Sequence, residues 1–213
     1  ALKLPNLFRR IFAEGAFSVA FVPLYSGKLA TEGPAAARQF AEDSLALMVA
    51  LLLPLVVLAM LAMPAIVTVI APGFRAEPET FGLAVEFGRI AFPYLLFISL
   101  TALMGGVLNA HDRLGPFAAA PILFNLCLIG GLLVWRWTTP TPGHALAWAV
   151  AAAGVAQLAY LAWAMARAGL VLRLRRPRLT PDARHMMRLM VPAMIYLLRM
   201  PTNVVIGTSL FQI

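Results

Sequence analysis

Residues 3–23 read K-L-P-N-L-F-R-R-I-F-A-E-G-A-F-S-V-A-F-V-P, from Lys3 to Pro23, with charge and apolar bulk interleaved at helical spacing. Advancing about 100° per residue, Asn6, Arg9, Arg10, Glu14 and Ser18 fall on one half of a helix and Leu4, Phe8, Ile11, Phe12 and Ala16 on the other. Arg10 and Glu14 are four apart and are spaced to pair along the surface. Arg9 lies beside Asn6 at the edge of the polar arc and has no acidic neighbour within its own helix. Two readings fit this stretch. It is a surface helix with arginines among headgroups, or it belongs to a transmembrane bundle in which the polar half lines a wet cavity, since ionisable groups at membrane depth face such cavities.

The surrounding chain decides for the bundle. The 213 residues are 62% hydrophobic and 12% charged, with a mean hydropathy of +0.85. Such a composition belongs to a polytopic membrane protein and excludes an ordinary water-soluble domain. The net charge of +8 sits in segments beside long apolar runs, where it sets topology, so nucleic-acid binding is not expected. The single cysteine, Cys127, lies in an apolar run and reads as a buried, inert thiol. The chain begins in mid-pattern and ends within an apolar run, and it reads as an internal fragment, one transmembrane domain over residues 1–213.

Leu24 to Asp43 is a polar mixture that reads as a loop, with Glu42, Asp43 and Ser44 placed to cap the next helix. Ser44 to Ala71 carries no charged side chain and is long enough to cross a hydrocarbon layer of about 30 Å. Pro54 and Pro64 lie within it. Further spans are expected from Leu83 to Ala110, Leu114 to Trp135 and Ala145 to Ala166, with a last one starting near Leu189. Glu86 and Arg89, three apart, are expected to pair or snorkel. Gly105 and Gly106 mark a close helix approach, Asn125 a polar contact with a neighbouring helix in preference to a cavity-facing position, and the alanines of the fourth span close packing. Trp135 and Trp137 around Arg136 read as an interfacial anchor.

Lys28, Arg38, Arg113 and the arginines at 167, 173, 175, 176, 178, 184 and 188 fall in one set of alternate connections, ten in all; Arg75 and Arg136, two, fall in the other. The positive-inside bias places the first set in the cytoplasm. Only Asp182 opposes the last seven arginines within their own segment. The expected architecture is all-α, a helix bundle.

No catalytic constellation is visible. His111, His144 and His185 stand far apart, at loops or span ends, without metal-ligand spacing, and neither a phosphate loop nor a serine elbow is present. No enzyme activity, cofactor or metal is expected. What remains is Arg9, Arg10 and Asn6 on an amphipathic membrane helix. Guanidinium groups stay charged and fork onto phosphate oxygens, which suits an anionic or diphosphate ligand in a low-dielectric cavity.

The stretch L-P-N-L-F-R-R-I-F-A-E-G-A-F-S-V-A-F-V-P, Leu4 to Pro23, resembles the signature of the MurJ (MviN) lipid II flippases, within the multidrug/oligosaccharidyl-lipid/polysaccharide exporter superfamily. A-P-G-F at Ala71 to Phe74, F-P-Y-L-L-F-I-S-L at Phe92 to Leu100 and G-V-L-N-A-H-D-R at Gly106 to Arg113 extend the likeness, with weaker matches at Ala120 to Asn125 and Leu146 to Val150. The resemblance implies a fourteen-helix fold, of which this chain holds part of helix two, helices three to six and the start of helix seven. It also implies translocation of lipid II, the undecaprenyl-diphosphate-linked disaccharide peptide, across the bacterial cytoplasmic membrane by alternating access, by a monomer among membrane lipids. Arg9 takes the place of the family's cavity arginine, and Arg10, Asn6 and Glu14 match the same motif. Val19 stands where the family usually has glutamine, and Leu197 to Gly207 lacks the family's Q-I-N. Rival readings are another exporter of the superfamily, for O-antigen units or drugs, and a non-transporting scaffold docking through its basic segment.

Overall fold

A computed structural model describes residues 17–71, 73–74, 77–135 and 137–199. All regular structure among them is helical: α1 (Phe17–Thr31), α2 (Pro34–Leu61), α3 (Met63–Ile70), α4 (Pro78–Ala91), α5 (Tyr94–Ala110), α6 (Leu114–Trp135), α7 (Pro142–Arg167) and α8 (Pro181–Arg199). Four segments are long and apolar enough to cross a membrane: Pro34–Leu61, Pro78–Ala110, Leu114–Trp135 and Pro142–Arg167. The all-α expectation holds. The boundaries of α6 coincide with the uncharged run Leu114 to Trp135.

The expected loop from Leu24 to Asp43 is instead helical, interrupted only at Glu32 and Gly33. Both of those N–H groups donate to the carbonyl of Lys28, and Gly33 adopts a φ of 87°, a left-handed conformation that favours glycine. Pro34 then opens α2 at a position where its missing N–H costs nothing. Ala37, Phe40, Ala41, Ser44, Leu45, Met48 and Leu52 are all buried, three and four residues apart. They form a continuous apolar stripe that crosses the supposed boundary. Glu42, Asp43 and Ser44 are therefore interior residues of α2, not its cap.

Prolines divide the two long apolar runs. Pro64 has no N–H to offer the carbonyl of Met60, four residues earlier, and the helix breaks at Ala62 between α2 and α3. Pro93 does the same between α4 and α5. The last helix starts at Pro181, eight residues before Leu189, so Arg184 and Arg188 lie on α8 rather than in a connection.

The main core gathers around α1. Phe21 stacks on Phe17 at 5.1 Å, on Tyr25 at 5.6 Å and on Phe40 of α2 at 5.6 Å. Gly106 admits Phe21 and Val22 of α1, and a Cβ on Gly105 would lie 2.2 Å from the ring of Phe117 on α6. Both glycines thus mark the close helix approaches expected of them. Along α7, Ala145, Ala149 and Ala153 are fully buried, and Ala149 packs where Gly131 of α6 leaves room.

The opposite surface is apolar and outward-facing. Leu58 and Leu61 on α2 and Ile122, Leu126 and Leu133 on α6 are all more than half exposed, as side chains facing hydrocarbon are. Asn125 shares that exposed face of α6 rather than packing between described helices. Cys127 is free and half-buried, less enclosed than expected.

Candidate functional site

Alternate connections meet at opposite ends of the bundle. At one end Tyr25 of α1 shares a 3.0 Å hydrogen bond with His111 at the close of α5. A cavity of about 250 Å³ there is bordered by Pro34, Arg38, Gly169, Leu170 and Leu172. At the other, His144 at the start of α7 meets Glu86 of α4 at 3.2 Å, while Thr141 binds its Nδ1 at 2.8 Å. Lys28, Arg38, Arg113 and the 167–188 arginines thus belong to the first end. We call it the basic end.

Glu86 and Arg89 do not pair with each other, although the spacing allows it. Glu86 turns to His144. Arg89 donates from Nε to the carbonyl of Met60 at 3.0 Å. The i, i+3 spacing brings two side chains within reach, but each finds a partner on a different packed helix.

At the basic end a strap, residues 169–180 without regular structure, joins α7 to α8. Its arginines are opposed by more than Asp182. Glu42 of α2 is 1% exposed. Its Oε1 accepts from Arg38 Nε at 3.1 Å and from the backbone N–H of Arg173 at 3.1 Å. Arg175 Nε lies 2.6 Å from Oε2, a close ion-pair contact rather than an aligned hydrogen bond. A buried carboxylate is tolerated only with such partners. Asp182 itself bonds Lys28 of α1 at 2.9 Å, and Glu32 shares the same ammonium at 3.0 Å. Those two bonds, Asp182's first, raise the Lys28 pKa above its ordinary value.

Below this end lies a cavity of about 280 Å³ between α1, α2, α5 and α8. Phe17, Leu47, Leu52 and the thioethers of Met48, Met186 and Met190 line it, with Ser44 and Ser99 as its polar points. Ser44 Oγ lies 3.7 Å from the sulfur of Met186. Such a lining offers dispersion contact and adaptable shape to an apolar chain, and no ionised group for a headgroup.

Asn6, Arg9, Arg10 and Glu14, the expected ligand-binding residues, lie outside the described residues, as does the divergent segment from Met200 to Gly207. Phe17, which follows them in the chain, lines the cavity wall. Among the described residues no group of His, Cys, Asp and Glu is arranged to hold a metal ion. Glu42 was expected only as a helix cap, because a carboxylate beside a serine at the start of an uncharged run reads as one. Its partners on the strap are separated from it by some 130 residues, and no local pattern announces them.

The family model described as "Lipid II flippase MurJ" matches residues 1–212. The "Probable lipid II flippase MurJ" of Rhizobium tropici is 40% identical over 214 residues, covering 99% of this chain and 40% of that protein. That of Rhizobium meliloti (strain 1021) is 42% identical over 200 residues, 92% of this chain and 37% of that protein. The "Lipid II flippase MurJ" of Burkholderia cenocepacia is 38% identical over 157 residues, 74% of this chain and 30% of its own. The chain thus spans no more than 40% of the length of these relatives. With the match running from the first residue to the last but one, the chain belongs to the lipid II flippase MurJ family.

Proposed function

We propose that this chain is part of a flippase that moves lipid II across the bacterial cytoplasmic membrane by alternating access, as a monomer and without chemically altering its cargo. The observation that carries this reading is the match of the family model over residues 1–212. The bundle's chemistry supports it. A lipid-linked diphosphate sugar needs an apolar wall for its chain and a cationic point for its diphosphate. The methionine-lined cavity supplies the first, and the opening Arg9-Arg10 pair, about two helical turns before Phe17 in the chain, supplies the second. Asn6 and Glu14 would orient those guanidiniums. The excess of Lys and Arg at the basic end over the other supports placing the basic end in the cytoplasm.

The test is replacement of the resident flippase in a bacterium by the full-length protein that contains this chain. Growth without the resident flippase, together with lipid II reaching the outer face of the membrane, is the expected result. Normal abundance in the membrane with lipid II retained on the inner face would overturn the proposal.

A further inference from the structure

Two ties hold the strap and the first turn of α8 onto the bundle, and each starts within four residues, along its helix, of a side chain that lines the cavity. Glu42 joins α2 to Arg173 and Arg175 of the strap; Asp182 joins α8 to Lys28 of α1. Ser44, two residues beyond Glu42, and Met186, four beyond Asp182, touch each other in the cavity wall and are 0% and 3% exposed. Farther along the same wall Leu51 and Leu55 are 52% and 38% exposed. The cavity is therefore sealed at the end that carries the ties and open away from it.

We infer that Glu42, gripped by Arg38, Arg175 and the Arg173 N–H, is the clasp that keeps this cavity closed at the basic end, and that releasing it lets the strap and α8 swing away. The inference deepens the alternating-access reading and rests on it. The geometry explains why the clasp holds and why it can release. The carboxylate is buried, so it is costly to leave without partners. The two guanidinium side chains are 47% and 53% exposed, so water or a passing anion can compensate them once they let go. A mechanical staple would be buried on both sides. This one presents its cationic half to the solvent, where a phosphate-bearing substrate entering at the basic end would meet it and compete for the arginines.

The experiment uses the full-length protein with its cysteines removed and Ser44→Cys as the sole thiol, in inverted membrane vesicles. A membrane-impermeant thiol reagent then reports access to the cavity from the basic end. Glu42→Gln keeps the shape and loses the charge; Arg175→Gln removes one grip from the exposed side and serves where Glu42→Gln fails to accumulate. Labelling should be slow in the parent and rise by about tenfold or more in either variant, the population shift that follows loss of one charge-assisted contact. Arg176→Gln removes an equal charge from an exposed side chain with no partner among the described residues, and should leave the rate unchanged. Equal labelling in parent, Glu42→Gln and Arg175→Gln overturns the clasp, as does an equal rise in Arg176→Gln. Labelling needs no substrate, so these outcomes stand apart from the transport reading: faster labelling without lipid II export would keep the clasp and remove the flippase.

Discussion

Arg89 donates from Nε to the carbonyl of Met60 at 3.0 Å, the one carbonyl that Pro64 leaves without its helical donor. A break in a membrane helix frees a backbone acceptor that hydrocarbon does not solvate. A charged side chain from the neighbouring helix satisfies it. The same contact gives an exposed guanidinium a fixed partner within the span Pro78–Ala110, so one bond settles two otherwise unfavourable groups.

The pair makes a double-mutant prediction. Arg89→Gln alone should destabilise the protein by about 1–3 kcal/mol, the cost of a charge-assisted bond and an acceptor left bare. With Pro64→Ala also present, the Met60 carbonyl regains a backbone donor and the same Arg89→Gln step should cost much less. Thermal unfolding of the four variants in detergent measures the difference. Equal costs in both backgrounds would show that Arg89 does not serve the break.

Gly105 offers a packing test. A side chain there meets the Phe117 ring at 2.2 Å, whereas one at Gly115 meets nothing within 4 Å. Gly105→Val should therefore cost about 1–3 kcal/mol through overpacking, and Gly115→Ala should be neutral or mildly stabilising through reduced unfolded-state freedom. Thermal unfolding again decides, and a neutral Gly105→Val would mean that α5 and α6 are not held at the observed separation.

How much of this was readable beforehand depends on where each contact reaches. The span Leu114 to Trp135 was legible because hydrocarbon demands an uncharged run of fixed length, and the run and α6 end at the same residues. The glycine approaches were legible because small residues have one common use between membrane helices. The helices through Leu24 to Asp43 were missed because their polar residues hid the stripe at Ala37, Phe40 and Ala41, where alanine is a weak hydrophobic signal. Glu42 was illegible for a different reason. A carboxylate's role is set by which cations reach it, and Arg173 and Arg175 arrive from the far side of the fold.

Orientation can be tested with cysteines on the two ends. Gly33 is a poor site, because its φ of 87° would strain any other residue, so Ala35 and Pro177 report the basic end and Glu79 the other; all three are exposed. With an impermeant thiol reagent on intact cells, Glu79→Cys should react while Ala35→Cys and Pro177→Cys are protected until the membrane is opened. The reverse pattern would invert the topology and remove the cytoplasmic placement of the clasp.

The final prediction concerns Arg9, which lies outside the described residues and whose role is proposed from its motif. If Arg9 grips a diphosphate, Arg9→Ala removes both charge and fork, whereas Arg9→Lys keeps the charge and loses bidentate geometry. In the full-length protein alanine should abolish lipid II export and lysine should reduce it. Loss of one charge-assisted bond corresponds to about 1.5–3 kcal/mol, roughly ten- to a hundredfold in affinity. Arg38 is unsuitable as the matched control because it holds Glu42 at 3.1 Å. Arg178, exposed and without a partner among the described residues, is the better one, and Arg178→Ala should export normally. Membrane abundance of each variant is measured alongside, since a misfolded bundle also exports nothing. Normal export by Arg9→Ala at normal abundance would refute the diphosphate role and leave Arg9 as a residue of packing or of the membrane surface, with family membership untouched.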